Sequence, residues 1–125
     1  DFAAYEGFVW DASQYPDINE LYVVSDLLIT DYSSVFFDYA NLKRPILFYM
    51  YDLAAYRDDI RGFYLDLSEL PGPIVETEEA LIQAIPQALE GDAYDEKYQR
   101  FHARFNALDD GHASERVVKR LLETK

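Results

Sequence analysis

Ser33 and Ser34 stand side by side in the stretch SDLLITDYSSVFFDYANLKRP, with Asp31 just ahead of them and Asp38 four residues after Ser34. Small hydroxyl residues at the opening of a helix place side-chain donors beside backbone N–H groups that have no partner inside the helix, and the macrodipole adds partial positive charge there. That combination suits a phosphate or diphosphate. An ordinary helix cap uses the same residue types, so both uses stand open on spacing alone. Asp38 shares a helix face with Ser34. It would repel an anion at contact, and taken alone it is a solvated helix residue. Asp31 is a candidate for organising the turn through amides ahead of it, with metal ligation a lesser use. Arg57 and Arg61 are candidate contacts to phosphate, against surface ion pairs with Asp52, Asp58 or Asp59. No residue carries a metal-site pattern, and no cofactor motif is present.

The serines need a strand before them and a helix after them. Leu27 to Thr30 reads as a buried strand, Asp31-Tyr32 as a tight turn, and Ser34 to about Asn41 as a helix with Val35, Phe36, Tyr39 and Ala40 available for packing. Upstream, Gly7 to Trp10 reads as a short strand. Ile18 to Val24 reads as a helix capped by Asp17, with Glu20 placed for a capping box. Downstream, Ile46 to Met50 reads as a buried strand and Leu53 to Arg61 as a loop or short helix. Phe63 to Leu67 alternates like a strand, and Pro71-Gly72-Pro73 is a turn. Thr77 caps a helix. Two more helices follow, one carrying Tyr94, Tyr98, Phe101, Phe105 and Leu108, the other Val117, Val118, Leu121 and Leu122 after a turn at Asp109-Asp110-Gly111. Strands and helices alternate over roughly the first 75 residues and helices take over from about 78 to 124. The fold class is α/β, a parallel sheet with flanking helices whose strand carboxyl ends share one rim.

At 125 residues the chain is one domain or a large piece of one, and its opening Asp-Phe suggests a piece cut from a longer polypeptide. There is no cysteine, which excludes thiolate metal sites, disulfides and cysteine nucleophiles and fits a cytoplasmic setting. A net charge of −13 argues against non-specific nucleic-acid binding and against adhesion of this segment to an anionic membrane. An acidic chain can still hold a phosphorylated ligand where the anion meets backbone amides instead of a lysine patch.

The blocks SDLLITDYSSVFFD, YDLAAYRDDIRGFY, PGPIVET and DGHASERV, in that order, resemble the carboxyl-terminal part of the CDP-glycerol glycerophosphotransferases, which build the poly(glycerol phosphate) chain of teichoic acids in Gram-positive bacteria. The resemblance runs from Phe8 to about Leu122. It implies a transferase of GT-B architecture, with this chain a part of its carboxyl-terminal, Rossmann-like, donor-binding domain. Ser33, Ser34 and Asp38 then match the CDP-glycerol site. The family's two histidines fall upstream of Asp1, and His102 and His112 match no catalytic motif, so no catalytic residue is assigned here and the segment alone is expected to be inactive. The implied partners are CDP-glycerol and a lipid-linked glycerol phosphate polymer. The implied location is the inner face of the cell membrane, reached peripherally through the full-length protein. Ribitol phosphate transfer, priming, and a non-catalytic nucleotide- or protein-binding module are the alternatives. An exposed sheet edge would also let the isolated segment dimerise.

Overall fold

A three-stranded parallel sheet organises the chain, in the order β1 (Leu28–Thr30), β2 (Ile46–Tyr49), β3 (Ile74–Val75). The computed structural model describes residues 2–56 and 66–124. Leu28 pairs with Ile46 and Thr30 with Phe48, while Phe48 and Tyr49 pair with Ile74 and Val75. The continuous apolar run of β2 is what a strand covered on both faces requires. Ile46, Leu47 and Phe48 are fully buried. Ile46 and Phe48 join the main core, and side-chain alternation sends Leu47 to the opposite face.

The described residues form six α-helices: α1 (Ile18–Val24), α2 (Val35–Tyr39), α3 (Leu53–Tyr56), α4 (Glu78–Glu90), α5 (Glu96–Phe105) and α6 (Ala113–Glu123), the last exposed along its whole length. Local capping sets several of their starts. Asp17 accepts from the Asn19 amide at 2.9 Å, Thr77 from Ala80 at 3.2 Å and Asp95 from Tyr98 at 2.9 Å. The capping box expected at Asp17 does not close, because Glu20 accepts a hydrogen bond from the Tyr15 hydroxyl instead. Phe36 and Tyr39 turn the buried side of α2 inward, where Phe36 meets Phe48 edge-on at 5.1 Å and Phe101 at 5.8 Å. Phe37 spans to Phe101 and Phe105 at 5.5 and 5.3 Å, so the aromatic stripe of α5 is core, as its spacing suggested.

The polar groups at the amino ends of the strands are bonded to one another. The Arg44 guanidinium donates to the carbonyls of Val23 and Ser25, each at 2.7 Å, and so closes the carboxyl end of α1. Tyr98 donates to the Arg44 carbonyl at 2.9 Å, and Tyr39 to the Ser25 carbonyl at 3.1 Å. Burial is the main cause that holds the hydroxyls of Tyr98 and Tyr39 above the ordinary tyrosine range, so both remain donors. Gly72 lets the chain cross tightly into β3: a Cβ there would lie 2.0 Å from the Ile46 carbonyl oxygen.

The structure also departs from expectation in its strands and at the end of α5. Gly7 to Trp10 is not a strand. Gly7 has a φ of +80°, the Phe8 and Val9 amides both turn back to the Tyr5 carbonyl, and Phe8 is 90% exposed, so no sheet recruits the run. β3 has no counterpart among the expected strands, because two residues are too few to show a period. Of the strand expected over Phe63 to Leu67, residues 63–65 lie outside the described residues, and Leu67 opens a 3-10 turn capped by Asp66. Leu108 falls beyond the end of α5 and is exposed.

Candidate functional site

The parallel register brings three loops to one rim: residues 31–34 after β1, 50–52 after β2 and 76–77 after β3. The serine turn is shaped from within by Asp31, whose Oδ1 accepts from the Ser33 amide at 3.0 Å. Asp31 therefore organises the turn, as expected of it. Ser34 occupies the N-cap position of α2, and its carbonyl accepts from the Phe37 amide at 3.2 Å. Its hydroxyl makes no cap bond. Both serines are exposed, and neither hydroxyl has a partner among the described residues.

The helix behind them is short. α2 is five residues long and passes directly into a 3-10 turn at Ala40–Leu42, so its dipole is weaker than the Ser34-to-Asn41 helix expected from sequence. An anion at this rim would depend more on the free amides and the two hydroxyls than on a long macrodipole. The rim loops named above contain no Lys or Arg. The described cations near the sheet are committed elsewhere, Arg44 to carbonyls and Lys43 over the Tyr94 ring at 5.1 Å. Arg57 and Arg61 lie outside the described residues.

Asp38 is exposed in the first turn of α2 but makes no hydrogen bond to either serine among the described residues. Its carboxylate stands near Tyr22, whose hydroxyl is raised above its usual range first by burial and then by that charge. The structure thus bonds Asp31 to the Ser33 amide and gives Asp38 no bond to that turn among the described residues. Sequence reasoning missed a second link. The half-buried Tyr32 donates from its hydroxyl to Asp52 Oδ1 at 3.1 Å, tying the loop after β1 to the loop after β2. From sequence Asp52 is only a candidate ion-pair partner, and nothing in residue spacing marks a bond across 20 positions.

His102 is half-buried on α5 with its ring edge-on to Tyr94, and His112 pairs with Glu115 at 3.3 Å on the surface. Neither belongs to the rim loops. No helix among the described residues is long and apolar enough to cross a membrane.

The exposed serine hydroxyls lie beyond the carboxyl ends of a parallel α/β sheet, the rim where ligands of such sheets collect. The family model described as CDP-Glycerol:Poly(glycerophosphate) glycerophosphotransferase matches residues 1–123, and the chain belongs to that family. The teichoic acid poly(glycerol phosphate) polymerase of Bacillus subtilis (strain 168) is 50% identical to it over 127 residues, covering 100% of this chain. The teichoic acid glycerol-phosphate transferase of Staphylococcus aureus (strain NCTC 8325 / PS 47) is 50% identical over 121 residues, covering 95% of this chain. The solved wall teichoic acid polymerase TagF superposes with a TM-score of 0.83 at 40% identity over 99% of this chain. A histidine variant of TagF soaked with CDPG fits equally well. This chain spans 17% of the Bacillus relative, 31% of the Staphylococcus relative and 31% of the TagF chain.

Proposed function

We propose that this chain is the donor-side part of a transferase that moves glycerol phosphate from CDP-glycerol to a growing teichoic acid chain. It would form part of the carboxyl-terminal Rossmann-like domain of a larger GT-B enzyme, with the helical section from about 78 to 124 closing that domain. The observation that carries this reading is the match of a fully aligned chain to a polymerase family, with the serine rim free in the position where parallel sheets bind ligands. Phe8, Trp10 and Val24 are 90, 70 and 76% exposed, which suits a surface that more protein covers.

In this reaction an acceptor hydroxyl oxygen attacks the glycerol-bearing phosphorus of CDP-glycerol. A new P–O bond forms, the bond to CMP breaks, and the hydroxyl proton passes to a base. Charge grows on the phosphoryl oxygens and must be met by positioned donors. The Ser33 and Ser34 hydroxyls, with the free amides at the start of α2, supply donors for the diphosphate, each charge-assisted bond worth about 1.5–3 kcal/mol. Asp38 takes a ribose or glycerol hydroxyl, and Arg57 and Arg61 reach phosphate or acceptor. The base comes from outside these 125 residues. The acceptor is a lipid-linked polymer, which holds the full-length protein at the inner membrane face, and the isolated segment pairs through its free sheet edge.

Replacing Ser33 and Ser34 together by alanine in the full-length protein is expected to weaken CDP-glycerol binding at least about fivefold by calorimetry. Unchanged affinity removes the pair from the donor site. Competition with CDP-ribitol separates the two polyol donors, and turnover by the 125-residue chain alone would contradict its assignment as a donor-binding part.

A further inference from the structure

The Tyr32–Asp52 hydrogen bond has a location that core packing does not require. It lies at the rim, between the loops that follow two adjacent parallel strands, and it begins one residue before the serine pair. Asp31 shapes the serine turn internally through the Ser33 amide and has no other bond among the described residues. The Tyr32 ring packs against the core, so its hydroxyl is held at a fixed height above the sheet. On the other side, Asp52 directly precedes α3, whose first residue, Leu53, is 7% exposed and bonds through its amide to the Met50 carbonyl at 3.2 Å. Both ends of the bond are therefore anchored in buried structure, while the serines between Tyr32 and α2 are exposed. A five-residue helix does little to hold its own first turn.

We infer that Tyr32 and Asp52 form a clasp that positions the serine turn for the donor diphosphate. They are positioning residues: Tyr32 acts through the turn that follows it, and Asp52 acts through Tyr32. The inference rests on the donor-site reading above for its effect on substrate, and on geometry alone for its effect on the turn. The clasp needs an acceptor at position 52, not a charge. Asn can replace Asp there and Ala cannot, and Phe at position 32 keeps the ring but loses the donor.

The test uses the full-length protein with Tyr32→Phe, Asp52→Ala, Asp52→Asn and the Tyr32→Phe/Asp52→Ala pair. Amide hydrogen exchange without ligand reads the turn, and steady-state CMP release from CDP-glycerol reads the donor. Tyr32→Phe and Asp52→Ala should each speed exchange across residues 31–36 about tenfold and raise KM for the donor about five- to tenfold, with kcat within about twofold. Asp52→Asn should stay close to wild type, and the double variant should be no worse than either single change. Unchanged exchange in Tyr32→Phe, a KM that does not move, Asp52→Asn as defective as Asp52→Ala, or multiplied effects in the double variant would each overturn the clasp. A wild-type protein without affinity for CDP-glycerol would end the donor reading instead, and the exchange result would still decide the clasp.

Discussion

The two ends of the sheet treat their polar groups in opposite ways. At the amino ends, Arg44, Tyr98 and Tyr39 direct their donors onto carbonyls of Val23, Arg44 and Ser25, around a core in which Tyr39 and Tyr98 are fully buried. At the carboxyl ends, Ser33 and Ser34 are exposed and their hydroxyls have no partner among the described residues. A buried polar group without a partner is costly, so the amino end must be completed by the protein itself. An exposed hydroxyl has water as its partner and can exchange it for a ligand. The first end serves stability and the second is the proposed binding rim, so changes at the two ends should be read by different instruments.

The largest effect belongs to the amino end. Gly72→Ala would drive a Cβ to within 2.0 Å of the Ile46 carbonyl oxygen and 3.0 Å of its carbon, both backbone atoms that cannot rotate aside. The turn into β3 would have to move, and with it the Phe48 amide bond to the Pro73 carbonyl. A loss of about 3 kcal/mol or more is expected in urea unfolding of the full-length protein. Arg44→Ala follows. It leaves the Val23 and Ser25 carbonyls without the guanidinium, in a partly exposed setting where water relieves some of the loss. About 2 kcal/mol is expected, with donor affinity unchanged once the protein is folded.

Much of this arrangement could be read from the residues. The α/β alternation, the α1 boundaries, the Thr77 cap and the α5 aromatic stripe follow from capping chemistry and helical spacing, which are local properties. The family resemblance, confined to motifs in order, pointed to the serine turn and to a transferase. What escaped was long-range. Gly7 to Trp10 has the composition of a strand, yet a strand exists only where a neighbour offers hydrogen bonds, and Gly7 turns the chain back on Tyr5. β3 is the converse: two residues with little pattern become a strand because β2 presents an open edge. The Tyr32–Asp52 bond escaped for the same reason.

The smallest stability effect is expected at the serines themselves, and it sharpens the contrast most. An N-cap serine that bonds the helix amides typically costs about 1 kcal/mol when replaced by alanine. Ser34 sits at the N-cap of α2 with αR backbone angles and makes no such bond, and the Ser33 amide is held by Asp31, which the substitution leaves in place. Ser33→Ala/Ser34→Ala should therefore shift urea stability by no more than about 0.5 kcal/mol while donor affinity falls at least about fivefold. A stability loss near 1 kcal/mol with donor affinity intact would show that the pair serves as a cap in solution. The carboxyl rim would then resemble the amino end, with its hydroxyls directed to the protein, and the donor would have to be held by the amides and by groups outside this turn.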